Sequence, residues 1–387
     1  MNKQLLKNYF SLLLLLGIFL PYHNFAQEKD GEDNPKPKLT IGGALRFNYN
    51  LSSWKPEMQE RGGDFGFDVF RLAVNGSYKN LYINAEYRLY SEAFGGGFLK
   101  QGWLGYKLDD KREVQMGLVQ VPFGIERYNS HNWFLNLPYY VGLEDDYDMG
   151  IRYSYKGDMF EYHAAFFKNA EELTFGNNSP ASTHRYSYDV VGNNKEVNQI
   201  NGKVLYKPNL DAMHKVGLSA QYGGLYNIET TKTGNRYALA VHYEYKSDDW
   251  FIKAQATKAE FNPKNAPGIT RNIIEMGAYG TPYEVATNFE IYNFGIAHLF
   301  YINKDFVEKI EIYNDFGYMH KRIDGFGDSY MNVLGVLINS GPVSTYIDYA
   351  AGYNHSWLGG DFDNEFSTGD PDPKWEARFN INIGYYF

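Results

Sequence analysis

No cysteine occurs among the 387 residues, and basic charge is in deficit rather than excess. The missing thiols fit an oxidising compartment, where stray cysteines are a hazard. They also exclude an N-terminus anchored through a lipidated cysteine. A net charge of −9 lacks the basic signature of a nucleic-acid partner. Beyond the first two dozen residues there is no run of eighteen apolar residues, so no helix long enough to cross a bilayer is expected. Catalytic signatures are missing too: the nine histidines form no HExxH pair, and neither GxSxG nor a Walker sequence appears. Glu161 and His163 share one strand face, but a lone histidine on such a face is far more often a solvated wall residue than a base. The chain is therefore expected to be no enzyme and to hold no cofactor. Asp361, Asp363 and Glu365 alternate as oxygen ligands for Ca²⁺ do, yet lack the glycine and distant glutamate of an EF-hand loop.

What is abundant is aromatic: 18% of the chain, with 35 tyrosines, beside 39 glycines. Between a short leader and the last residue, pieces of period-2 sequence are joined alternately by tight turns and long polar loops. The last piece shows the pattern best. Trp375, Ala377, Phe379, Ile381, Ile383, Tyr385 and Phe387 point one way, and Lys374, Glu376, Arg378, Asn380, Asn382, Gly384 and Tyr386 the other. One face suits lipid and the other water. Most pieces run nine residues or longer, which a tilted membrane strand needs and a soluble sandwich strand does not.

Sixteen strands are predicted: 39–49, 65–78, 81–90, 98–108, 114–121, 149–156, 159–167, 197–207, 216–226, 236–246, 250–259, 285–301, 309–321, 330–338, 343–353 and 374–387. The turns between alternate pairs are rich in Asp, Asn, Gly and Pro. The remaining connections are long: 52–64, 122–148, 168–196, 260–284 and 356–373. An even number of dyad-patterned strands, with short turns at one end and long loops at the other, predicts an all-β fold, a transmembrane antiparallel barrel of the outer-membrane type. Only helices and closed barrels satisfy backbone polar groups inside lipid. Residues 1–26 read as a secretory signal, with Lys3 and Lys7 ahead of an apolar core at 10–20 and cleavage after Ala26. Residues 27–38 read as a periplasmic lead-in and 39–387 as the barrel.

The loop at 122–148 is unusually apolar for a connection in water, carrying His131, Trp133, Phe134, Leu135, Leu137, Pro138, Tyr139 and Tyr140. It is expected to fold into the lumen and narrow it; capping the barrel or contacting a neighbouring subunit are the alternatives. The stretch Gly102 to Leu108, a turn, then Val114 to Val121 running into Pro122-Phe123-Gly124-Ile125-Glu126 is similar to the phosphate-selective porin O and P family. Gly117, Pro122, Phe123, Gly124 and Glu126 fit the family's pattern, while Leu118 stands where Gln is usual. The likeness spans roughly residues 98–160. It implies a sixteen-stranded, usually trimeric diffusion channel in the outer membrane of a Gram-negative bacterium, passing small hydrophilic solutes or ions. It does not extend to phosphate selectivity, because the wall is mixed in sign.

On parity, the inward charges include Arg152, Lys203, Arg236, Lys253 and Lys321 with Glu86, Glu161, Asp315, Asp348 and Glu376. Arg46, Arg71, Arg88 and Arg378 are expected to form a basic stripe at one depth, displaced if barrel shear intervenes. Glu144, Asp145, Asp146 and Asp148, on the return limb of the apolar loop, are expected to oppose it. Such a pairing sets a transverse field across an opening and biases permeation; plain hydration of the lumen is the bland alternative. A surface-exposed binding or attachment protein would use the same barrel as a scaffold for its loops.

Overall fold

The computed structural model describes residues 36–171, 176, 178–208 and 213–387. The expected signal peptide and most of the expected lead-in lie outside these residues, as does the middle of the predicted turn at 208–214. The described strands are, in chain order, β1 (Lys38–Ser52), β2 (Asp64–Tyr78), β3 (Leu81–Leu89), β4 (Gly97–Lys107), β5 (Arg112–Gln120), β6 (Tyr147–Lys156), β7 (Phe160–Asn169), β8 (Asp189–Val190), β9 (Asn194–Tyr206) and β10 (His214–Asn227). They continue with β11 (Lys232–Lys246), β12 (Trp250–Asn262), β13 (Ile273–Ala278), β14 (Thr281–Ala286), β15 (Asn288–Lys304), β16 (Val307–Lys321), β17 (Ser329–Ser340), β18 (Val343–Tyr353) and β19 (Trp375–Tyr386).

Sixteen of these close into one antiparallel barrel, each paired with its chain neighbour, and β1 seals against β19 from Ala44↔Tyr386 to Ser52↔Arg378. Closure satisfies every sheet edge, which is what allows the wall to face lipid. The outer face is a band of large apolar side chains: Leu39, Ile41, Phe47, Leu104, Met116, Ile200, Leu218, Leu239, Phe294, Leu334 and Tyr349 are all exposed. The alternate positions are buried or half-buried and polar, including Arg152, Lys203, Gln221, His242, Lys253, Asp315 and Asn380. A water-soluble protein would place these two sets the other way round, so the fold is that of an integral membrane barrel.

Three features depart from the sequence reading. First, the loops at 168–196 and 260–284 are not structureless. They contribute β8 and β13, which with β14 form a separate three-stranded sheet in the order β14-β13-β8. The predicted strand 285–301 is accordingly two elements, β14 ending at Ala286 and β15 beginning at Asn288. Second, short helices appear where none was expected, at Pro56–Glu60 and Leu137–Tyr140, each with proline in its first turn, where a missing N–H costs nothing. Third, β-bulges and register shifts break the period at several strand pairs, two of them beside the predicted arginines. In β2 the register slips between Arg46 and Phe47, leaving Asp68 unopposed; in β4 it slips between Glu86 and Tyr87, leaving Lys100 unopposed. A bulge adds one residue to one strand and re-aims the side chains around it. Lys100 and Gln101 are consecutive, and both are buried.

Candidate functional site

Residues 121–146 connect β5 to β6, and their backbone is fastened to the polar face of the wall. Glu126, the acid of the PFG-x-E stretch, pairs with Arg152 of β6 at 3.1 Å and Lys203 of β9 at 2.9 Å. Burial works to raise its carboxyl, but Lys203 and Arg152 outweigh it and bring it down to about 2. Gly124 N–H donates to Ser219 Oγ of β10 at 3.1 Å, and Ile125 N–H to Gln255 Oε1 of β12 at 2.8 Å. Gly124 has φ +54, and a Cβ there would meet the Gln255 amide at 2.6 Å, so glycine is required. Lys253 Nζ donates to the carbonyls of Tyr128 and Ser130, both at 2.8 Å. His131 meets Asp315 of β16 twice, through its N–H at 2.8 Å and Nδ1 at 2.7 Å, while Asn132 donates to the same carboxylate at 3.0 Å. Trp133 lies on Tyr346 of β18 at a centroid distance of 4.3 Å. One segment thus touches β6, β9, β10, β12, β16 and β18. Its apolar residues Leu135, Leu137, Tyr139, Tyr140, Val141 and Leu143 are buried.

The four arginines do not form one stripe. Arg71 and Arg88 are directly opposed across β2 and β3. Arg71 faces Ala44 of β1, two residues from Arg46, so these three are neighbours. Arg378 is opposite Ser52, whereas Arg46 is opposite Gly384. Six residues of strand, ~20 Å at 3.3 Å each, separate them. Barrel stagger accounts for the difference. Arg378 instead donates to Trp357 O at 3.1 Å and lies over the Trp54 ring at 5.3 Å, among the long loops.

Pairing differs within the triplet. Arg46 binds the bulged Asp68 at 2.8 Å and lies over Trp133 at 4.7 Å. Arg88 binds Glu86 at 2.6 Å, donates to Tyr186 Oη at 3.2 Å and lies over that ring at 4.6 Å. Arg71 has no carboxylate partner among the described residues, sitting over the Tyr386 ring at 5.3 Å with its Nε unbonded.

The four acids do not form one opposing wall either. Asp145 alone reaches the basic side, where Lys100 binds it at 3.2 Å and the hydroxyls of Tyr147 and Tyr186 donate to it at 2.9 and 2.6 Å. Burial pulls its carboxyl up, yet Lys100 and Arg88 prevail and hold it below the usual carboxylate range. Glu144 turns back into its own loop, accepting from Asn136 Nδ2 at 3.0 Å and Asn129 N–H at 3.1 Å, and burial pushes it up to about 8. Asp146 and Asp148 lie elsewhere, beside Asp189 of β8. The physical reason is that a loop alternating sharply in direction sends successive carboxylates to different neighbours; Asp145 itself sits at φ +50.

Parity missed Lys100 and Asp68, although a signal was present. The outward residues of β2 change phase between Phe67 and Phe70, and those of β4 between Leu99 and Leu104. Arg127, an exposed residue within the loop, donates to Gln101 Oε1 at 2.8 Å and Tyr147 Oη at 2.9 Å and was also overlooked. Glu161 and His163 do neighbour each other, at 3.9 Å, but Glu161 is engaged by Lys207 at 2.9 Å and His163 by Ser154 at 3.0 Å. Asp361, Asp363 and Glu365 do not converge. Asp361 accepts both its bonds from Asn364, Asp363 is exposed, and Glu365 is buried with its Oε1 on the Asp361 N–H.

No protein-family model and no curated protein sequence matches the chain. Solved structures do. The anion-selective porin from Comamonas acidovorans superposes with a TM-score of 0.57 at 13% identity, over 91% of this chain and 100% of that one. The outer membrane channel DcaP of Acinetobacter baumannii gives 0.57 at 12% identity, over 91% and 97%. OmpT, an outer-membrane protein of Vibrio cholerae, gives 0.55 at 14% identity, over 93% and 100%. At such identities the likeness is one of architecture, and the chain, itself a sixteen-stranded barrel, shares its fold with these outer-membrane proteins.

Proposed function

We propose that the protein is an outer-membrane porin through which small hydrophilic solutes diffuse, anions ahead of cations, with residues 121–146 lying in the lumen as its constriction. The observation that carries this reading is the fastening of that segment to polar residues of six strands, with a surplus of positive charge where it passes β1 to β4. There, among the described residues, Arg46, Arg71, Arg88, Lys100 and Arg127 are set against three acids, Asp68, Glu86 and Asp145. Charge at a constriction weighs most in permeation, and arginine keeps its charge at every working pH. The resemblance of residues 98–160 to the phosphate-selective porin O and P family supports a diffusion channel and implies a homotrimer. The architectural likeness to an anion-selective porin and to an outer-membrane channel supports the same class. Arg378 belongs to the outer mouth in this reading.

A second reading, a non-conducting barrel that displays its loops as a binding surface, is favoured by the aromatic packing between the segment and the other long loops. Tyr140 stacks on Trp357 at 5.8 Å, Tyr139 meets Tyr188 at 5.0 Å, and Tyr283 meets Phe362 at 5.5 Å. Planar-bilayer recording separates the two. The channel reading expects discrete conductance steps and an anion-directed reversal potential across a salt gradient. Inserted protein that never conducts leaves the scaffold reading, and a cation-directed potential defeats the anion preference. Chemical crosslinking in detergent tests the trimer.

A further inference from the structure

Asp146, Asp148 and Asp189 bring three carboxylates together from two different loops. One oxygen of each lies within 4.8 Å of the others, and all three residues are buried, at 4%, 1% and 1% exposure. Their surroundings do not neutralise them. Arg185 binds Asp189 at 2.7 Å and Glu171 at 3.3 Å; Arg236 reaches Asp189 at 3.5 Å and pairs with Glu196. Two guanidiniums thus face five carboxylates. A separate observation concerns hydrogen bonding. Both oxygens of Asp146 and one oxygen of Asp148 are out of contact with solvent and accept no hydrogen bond from any described residue. Buried polar groups are almost always partnered, and a buried charge without a partner is among the most costly features a fold can carry.

We propose that Asp146, Asp148 and Asp189 hold a divalent calcium-type cation that clasps the constriction segment to the outer three-stranded sheet. The donor set is all oxygen, as hard cations require. Two ligands on opposite sides of an ion at 2.3–2.6 Å stand up to about 5 Å apart, which the observed span permits. The orphaned oxygens of Asp146 and Asp148 supply unused lone pairs, and the ion's charge offsets the carboxylate surplus. The site also has a mechanical consequence. Asp146 and Asp148 end the 121–146 segment and begin β6, while Asp189 lies in β8, whose register on β13 is Gly277↔Asp189. One ion therefore ties two connections at the long-loop end directly, and a third through the pairing of β8 with β13.

The test uses the full chain refolded in detergent from denaturant, free of lipopolysaccharide and stripped with EDTA, and does not depend on whether the barrel conducts. Titration calorimetry with CaCl₂ is expected to show one ion per chain and a rise in unfolding temperature. Asp146→Asn and Asp148→Asn are each expected to weaken binding at least tenfold, while Asp363→Asn, an exposed acid of the last long loop, leaves it unchanged. In EDTA the Asp146→Asn protein is expected to be at least as stable as the parent, because a repelling charge has gone. If one variant does not refold, the other gives the same answer. No binding at millimolar calcium, or binding that survives both substitutions, overturns the proposal.

Discussion

The barrel carries two charge clusters that differ in how they are balanced. Around β1 to β4, cations exceed acids, yet the cations have soft company. Arg46, Arg71 and Arg88 each lie over an aromatic ring, and Asp145 is cradled by Lys100 and two tyrosine hydroxyls. Around β6, β8 and β11, acids exceed cations, and carboxylate oxygens are left without hydrogen bonds from the described residues. The difference follows from the ions themselves. A guanidinium is weakly hydrated, and its planar face stacks on rings, so it tolerates burial without a counter-charge. A carboxylate has only its oxygens to offer and must find a donor, a proton or a metal ion. On the channel reading proposed above, the basic cluster is left to meet solutes, whereas the acidic one calls for a resident partner.

The sharpest way to break the acidic cluster is to remove one of its two guanidiniums. Arg236→Ala leaves Asp189, Glu196 and the Gln199 amide oxygen, which Arg236 contacts at 2.6 Å, short of a partner. Loss of about 3–5 kcal/mol of stability is expected, read from urea unfolding in lipid vesicles. The same substitution on a well-compensated arginine would cost far less, so a loss below about 1 kcal/mol would mean the cluster is not strained.

A second measurement concerns pH. The Glu144 carboxyl is raised to about 8 from an ordinary 4.5, chiefly by burial, with Asp145 adding to the rise and Lys253 opposing it. The folded protein then keeps a proton that the unfolded chain has lost. Its contribution to stability is full below pH 4.5, falls by about 1.4 kcal/mol per unit as pH climbs, and is spent above about pH 8. Glu144→Gln, a mimic of the protonated acid, is expected to flatten the stability profile across that window; an unchanged profile would remove Glu144 as its source.

Between the two clusters, Asp315 holds the far side of the 121–146 segment through three hydrogen bonds. Asp315→Ala is expected to cost about 2–3 kcal/mol, because buried donors lose their acceptor. The freed segment should also increase single-channel conductance and its noise. Conductance identical to the parent would separate the segment from the permeation path.

The smallest effect on stability is expected at Arg71, which has no carboxylate partner among the described residues. Arg71→Ala should stay within about 1 kcal/mol of the parent while shifting the reversal potential toward cations at low salt. The shift should shrink in molar salt, as the Debye length falls from about 8 to 3 Å. An unchanged preference at low salt would make the arginine cluster an ordinary wall.

The wall was legible because its rule is local. All sixteen predicted strands correspond to barrel strands, and Arg152, Lys203, Arg236, Lys253 and Lys321 all turned out buried on the inward parity. Period-2 alternation is enforced residue by residue when one side is lipid and the other is not. The apolar character of residues 121–146 also announced a segment that would not float in water, and the Glu126 motif proved to be its anchor. Bulges were harder to see, since one extra residue leaves the composition of a strand unchanged and shows only as a phase slip.

What the sequence by itself determined is therefore the architecture: strand number, the lipid-facing and inward faces, and the loops long enough to carry a site. Tertiary structure alone decided which charges meet. It placed Arg378 six residues along from Arg46 and gave Asp68 and Lys100 to the basic cluster. It sent Glu144, Asp145 and Asp146 to three different neighbours and added Asp189 from a strand too short to predict. The physical reason is that facing is fixed by backbone geometry within a few residues. Pairing across a barrel depends instead on stagger, bulges and loop return, whose causes are distributed over the whole closed sheet.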